Sequence, residues 1–156
     1  MKKILFAAML YAVSLNTLAG DLYAGGGLSS NSADGLNGNA TGFQIFLGYD
    51  LKGVKLGKAN VAVEVGYMDS GDFDVCYFGF CASDSATGLW ATGVVLVPVA
   101  NQLDFIGRLG LDFGDDDGLM FGVGLGYAVD KKIQLRGEYV IREDIDSLQA
   151  NIAVRF

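Results

Sequence analysis

The 156-residue chain contains no histidine. That removes the commonest general base, the commonest zinc ligand and the usual activating partner of a nucleophilic serine or cysteine. The sequence therefore reads as a non-enzyme: no residue is nominated for catalysis, cofactor binding or metal ligation. Basic residues are scarce too, with 11 Lys and Arg against 18 Asp and Glu and a net charge of −7. A nucleic-acid partner needs clustered Lys and Arg against phosphate and is excluded. Proline occurs once and cysteine twice. What is plentiful is apolar and small: 51% of residues are hydrophobic and 23 are glycine, about double ordinary glycine usage. Such apolar content excludes intrinsic disorder, and one domain is the default at this length.

Long apolar runs are missing apart from one. Ile4 to Leu15 follows Lys2 and Lys3 and falls short of the ~20 residues a spanning helix needs. Thr17-Leu18-Ala19 then supplies small residues where a signal peptidase reads. Residues 1–19 read as a cleaved export signal, with an uncleaved anchor helix as the alternative. Residues 20–156 form the mature domain, with 9 basic against 18 acidic residues once Lys2 and Lys3 are removed. Export implies an oxidising compartment, and the short signal on an acidic chain fits a bacterial envelope.

The mature chain has no sustained helical period; it alternates with period two, as strands do. Phe43, Ile45, Leu47, Tyr49 and Leu51 share one face, as do Val61, Val63, Val65 and Tyr67. The pattern recurs in 103–113, 119–127, 133–141 and 148–156. Asp21 to Ser29 alternates weakly because it is rich in glycine, and Leu89 to Val99 is apolar on both faces. Eight strands of about 9–11 residues result, the length that crosses a bilayer at a tilt. Turn signals occupy 30–40, 52–58, 69–88, 100–102, 114–118, 130–132 and 143–147. With the N-terminus on the periplasmic side, the two longest connections fall outside.

Energy decides which face meets lipid. Were the apolar face turned inward, Glu64, Arg108, Arg136 and Glu138 would lie in hydrocarbon, at roughly 2–4 kcal/mol per Arg and less for Glu. The total, on the order of 10 kcal/mol, equals a typical folding stability. The apolar face is therefore outside. Its aromatic residues then form interfacial girdles, with Phe43, Tyr67, Trp90 and Phe113 toward the exterior and Tyr49, Phe105, Tyr127 and Phe156 toward the periplasm. The expected fold is all-β: an eight-stranded antiparallel up-and-down transmembrane β-barrel.

Val94 through Gly110 (VVLVPVANQLDFIGRLG) and Gly122 to Tyr139 (GVGLGYAVDKKIQLRGEY) resemble the fourth-to-fifth and sixth-to-seventh strands of OmpA-like outer-membrane β-barrel domains. The alternating end Leu148 to Phe156 is similar to the terminal signal by which the barrel-assembly machinery recognises its clients. The resemblance implies a bacterial outer-membrane protein among outer-membrane lipid and lipopolysaccharide, handled by that machinery through the C-terminal strand and Phe156. The periplasmic peptidoglycan-binding domain of OmpA itself has no counterpart here, so peptidoglycan anchoring is not implied.

Eight strands leave an interior just wide enough for side chains to fill. Glu64, Arg108, Arg136, Glu138 and Asn151 fall at similar depth, as a paired plug or, alternatively, a narrow gated ion path. Gly122, Gly124 and Gly126 either widen the lumen or make room for Arg108 and Arg136. In the 69–88 connection, Cys76 and Cys81 are expected to pair in an oxidising compartment, as a loop staple or as a ring presenting Tyr77, Phe78 and Phe80 to a host or cell-surface partner. Acidic residues gather in the outer connections and lysines (52, 55, 58, 131 and 132) in the inner ones. The acidic runs read as solvated faces, with weak divalent-cation binding the alternative. The functional expectation is a structural or surface-interaction role carried by the outer loops, with a narrow porin-like channel as the alternative.

Overall fold

The computed structural model describes residues 22–33, 39–77 and 80–156, with backbone alone at 55, 74–77 and 80–82. The alternating segments become strands: β1 (Leu22–Ala33), β2 (Asn39–Leu56), β3 (Ala59–Asp69), β6 (Thr87–Ala100), β7 (Leu103–Gly114), β8 (Gly118–Ala128), β9 (Ile133–Ile141) and β10 (Ile145–Arg155). These eight close into one barrel in the order β1-β10-β9-β8-β7-β6-β3-β2, with every pairing antiparallel. Closure between first and last strands pairs Tyr23 with Arg155 and Ala33 with Ile145, so no sheet edge is left open. A short hairpin, β4 (Phe73–Tyr77) with β5 (Phe80–Asp84), stands on the third connection as a separate two-stranded sheet.

Two connections are tighter than their turn-rich sequences suggest. β2 runs to Leu56, so the 52–58 segment reduces to a turn at Gly57 and Lys58, with a register shift between Asp50 and Lys55. Gly57 takes φ +66° there, which glycine adopts without steric penalty. β1 and β2 likewise extend into the 30–40 segment. Ladder hydrogen bonds continue wherever two strands can pair, and polar composition alone does not stop them.

The outer face is apolar, with Ile45, Val65, Leu109, Val123 and Ile152 all exposed at mid-strand. The aromatic girdle residues Phe43, Phe105, Phe113, Tyr127 and Phe156 lie exposed on that face. Trp90 is a correction. It is 1% exposed and lies inside the barrel, together with Thr92, Val94 and Leu96. Period alone could not face β6, because both of its sides are apolar. The neighbouring strand decides: a Cβ on Gly66 would collide with the Trp90 indole, so glycine on β3 leaves the room that tryptophan fills. Gly48 does the same for the Tyr23 ring.

Candidate functional site

The charged centre of the lumen is built by even-numbered residues of β3, β7 and β9. Glu64 projects inward from β3, Arg108 from β7, and Arg136 and Glu138 from β9, each with a fully buried side chain. Glu64 is the hub. Its Oε1 accepts from Arg136 Nη1 at 2.5 Å and from the Tyr23 hydroxyl at 2.6 Å, while its Oε2 accepts from Arg108 Nη2 at 3.1 Å. Arg108 Nη2 also lies 2.7 Å from Glu138 Oε2. Two carboxylates and two guanidiniums thus balance, as they must where unpaired charge would be strongly destabilising.

Hydrogen bonds extend this cluster both ways. Toward the turn end, Arg136 Nε donates to Gln134 Oε1 and Gln134 Nε2 to Asp104 Oδ2, both at 2.9 Å. Toward the loop end, Asn151 Nδ2 donates to Glu138 Oε1 at 3.4 Å, and Gln44 Nε2 reaches Asn151 Oδ1 at 2.9 Å and Gln149 Oε1 at 2.6 Å. Aromatic rings pack on the cations: Trp90 lies 5.4 Å from the Arg108 guanidinium, and Tyr23 5.2 Å from that of Arg136. Such contacts stabilise a desolvated cation by up to about 2 kcal/mol. Inward glycines give this chain its space. A Cβ at Gly122 would press on Arg108, at Gly124 on Glu138, and at Gly126 on Gln134. The room they make therefore serves Glu138 and Gln134 as well as Arg108, rather than Arg136.

The five lumen residues singled out from sequence meet in one cluster. Tyr23, Trp90, Gln44 and Gln134 belong to it as well, beyond the five lumen residues that the sequence marks. Gln44 and Gln134 were visible as polar residues on the inward face of their strands. Tyr23 was obscured by the glycines around it, and Trp90 by its apolar neighbours.

A second charged cluster closes the loop end. Arg142 donates Nε to Asp112 Oδ2 at 2.7 Å and Nη1 to Ser147 Oγ at 2.8 Å. Asp116, in the β7–β8 connection, accepts the Asp144 backbone N–H at 3.0 Å. Burial pushes the Asp116 carboxyl above the usual carboxylate range. The hairpin is tied to this end through its foot: Ser70 N–H donates to Ala86 O at 2.8 Å, Asn31 Nδ2 donates to Ser70 O at 2.7 Å, and Phe73 packs with Ala40 and Ile145.

At the turn end, Arg155 pairs with Asp50 beside an open pocket of about 370 Å³ that Asp104 and Leu96 also line. Phe156 N–H donates to Leu22 O at 3.2 Å. In the hairpin the backbone register sets Cys76 opposite Cys81 and Tyr77 opposite Phe80. The side chains of these four, the whole of Phe78, and the expected signal at 1–19 lie outside the described residues. Among the described residues no group of acidic side chains is arranged to hold a metal ion.

The family profile described as outer membrane protein beta-barrel domain matches residues 5–156. No curated protein matches the chain. Among solved structures, a de novo designed transmembrane β-barrel superposes with a TM-score of 0.62 at 18% identity, over 88% of this chain and 96% of that one. The Yersinia pestis outer membrane protein Ail in a phospholipid nanodisc gives 0.61 at 14% identity, over 88% and 99%. Ail in complex with the heparin analogue sucrose octasulfate gives 0.55 at 15% identity, over 87% and 97%. At such identities the likeness is one of fold.

Proposed function

Because the chain belongs to the outer membrane protein beta-barrel domain family and so resides in the bacterial outer membrane, we propose that its lumen is a closed plug and that its extracellular loop face does its work. The observation that carries this reading is the neutral Glu64–Arg108–Glu138–Arg136 cluster, whose four side chains are fully buried at the middle of the barrel. Opening a water path would require those pairs to separate, and breaking a buried pair is strongly unfavourable. What remains for function is the surface that leaves the membrane: the hairpin on 69–88 and the shorter connections beside it. This supports a surface-interaction or envelope-integrity role, with lipopolysaccharide as the surrounding lipid. Tyr77, Phe78 and Phe80 of the 69–88 connection are its contact candidates, with a Cys76–Cys81 disulfide as the staple of that connection. Residues 1–19 serve as the export signal, and the C-terminal strand ending in Phe156 engages the barrel-assembly machinery.

Charge narrows the partner. The loop end carries Asp69, Asp72, Asp84, Asp115, Asp117, Glu143, Asp144 and Asp146, whereas every lysine after Lys3 lies in 52–58 or 131–132. A polysulfated ligand of the kind Ail was crystallised with would meet like charge here, so this surface favours cationic partners.

Trimming residues 70–86 to a short turn tests the reading. The trimmed barrel is expected to assemble and to shift on heating in gels like the parent, while cell attachment and serum survival fall. Undiminished attachment in cells that display the trimmed barrel overturns it. A narrow channel has one observation in its favour. Arg108 Nη1 and Nε and Arg136 Nη2 are buried without hydrogen-bond partners, leaving donors that could line a water thread. Conductance in planar bilayers separates the two readings.

A further inference from the structure

At the loop end an open pocket of about 330 Å³ lies between the β7–β8 and β9–β10 connections and the foot of the hairpin. Asp84, Asp115, Asp116 and Asp144 line it. Its floor is apolar, formed by Phe73 and Ile145, which pack in one buried cluster. Acidic groups alone would be a solvated face. Asp116 makes this one different. It is 6% exposed, its Oδ1 accepts the Asp144 N–H at 3.0 Å, and its Oδ2 is buried with no hydrogen-bond partner. The nearby guanidinium of Arg142 donates Nε to Asp112 and Nη1 to Ser147, and its Nη2, buried and unpartnered, makes no hydrogen bond to Asp116. Asp115 is held by Thr87, whose backbone N–H and hydroxyl donate to its Oδ2 at 2.8 and 3.2 Å. A buried carboxylate oxygen left unsatisfied destabilises its own loop, and a donor entering through the pocket mouth relieves that penalty.

We infer that this pocket binds an organic cation, an alkylammonium or guanidinium head on an apolar stem, with the head donating to Asp116 Oδ2 and the stem lying on Phe73 and Ile145. A carboxylate only accepts hydrogen bonds, so the ligand must bring the donor. The apolar floor selects a stem over a bare hydrated ion. Among the described residues the acidic side chains do not converge as a metal site requires. The same chemistry is offered by a free alkylamine and by a lysine or arginine of a basic partner. The inference deepens the loop-face reading and rests on it for the partner, while the pocket's affinity is measurable separately.

Calorimetric titration of the full barrel chain refolded in detergent tests it, with methylammonium, n-pentylammonium and acetyl-Gly-Lys-Gly-amide as probes at fixed ionic strength. Pentylammonium is expected to bind more tightly than methylammonium, by roughly fourfold for each methylene buried. Asp116→Asn removes a buried charge and keeps the acceptor for the Asp144 N–H, so it is expected to fold, which the gel shift on heating verifies. It should weaken pentylammonium binding about tenfold or more. Asp117→Asn, at an exposed neighbour, removes the same charge and should leave binding nearly unchanged. Equal affinity for the two amines, or equal loss in both variants, means nonspecific counterion attraction and overturns the site. Binding of the peptide but not of pentylammonium supports a partner's lysine as the occupant; the converse supports a free amine. Loss of attachment on loop trimming without binding of either pentylammonium or the peptide leaves the loop-face reading standing and overturns this inference. Asp116-dependent binding in cells whose attachment ignores the loop does the reverse.

Discussion

Glu64 carries more of the lumen than any other side chain, because both its oxygens are shared among Tyr23, Arg108 and Arg136. Truncation to alanine would leave two guanidiniums facing each other without their common anion. Glu64→Ala is expected to destabilise the barrel by about 3–5 kcal/mol, measured by urea unfolding in lipid vesicles. Adding Arg108→Ala should recover part of that loss, and strictly additive losses would argue against direct coupling. Two acidic residues outside the strands should titrate in opposite directions. Asp130 accepts the backbone N–H groups of Lys132 and Ile133 at 2.6 and 2.8 Å, which hold its carboxyl below the usual range. Its contribution to the β8–β9 turn is present above the ordinary aspartate pKa and lost as pH falls through the lowered value. Asp116 is raised by burial, so its contribution is present below the ordinary pKa and lost as pH rises through the raised one. Carboxyl NMR titration in micelles checks both; an Asp116 that titrates below Asp130 contradicts the assigned causes.

At the scale of the strand, inward and outward glycines should behave differently. A Cβ at Gly66 meets the Trp90 ring, while one at Gly107, on the lipid face of β7, meets nothing within 4 Å. Gly66→Val should cost about 1–3 kcal/mol by overpacking, and Gly107→Ala should gain up to about 1 kcal/mol, read from the same unfolding curves. The strands whose two faces differ chemically were legible in the sequence: β2, β3, β7, β8, β9 and β10 all present the alternation that the barrel uses. β6 was legible as a strand but not in its facing, since Leu89 to Val99 offers no polar side to choose. Trp90 consequently looked like a girdle residue, although its place depends on a glycine one strand away. The hairpin β4–β5 was not legible as structure, being short and set among turn-forming residues. Trp90 is the only tryptophan, which makes its position directly measurable. Brominated acyl chains should quench its emission weakly and with little dependence on bromine depth; strong quenching with a sharp depth optimum would put it back among the lipids.

The whole molecule is polarised along its axis. Carboxylates crowd the loop end, lysines the turn end, and a neutral charge cluster sits between the pocket at either mouth. A designed barrel superposes as well as a natural one, so the likeness is one of fold, while the filling of the lumen and the charge of the loops come from this chain's own residues. The lumen residues could be placed at a common depth by counting along strands, but their partners depend on strand tilt and on Tyr23, which counting does not reveal. A loop-borne role requires that charge pairing close the barrel. Single-channel recording of the refolded parent chain in planar bilayers tests it most directly, with heat-shifted migration confirming that the inserted protein is folded. Closed pairing predicts a silent baseline across the voltage range, whereas discrete, reproducible conductance steps from folded barrels would contradict it.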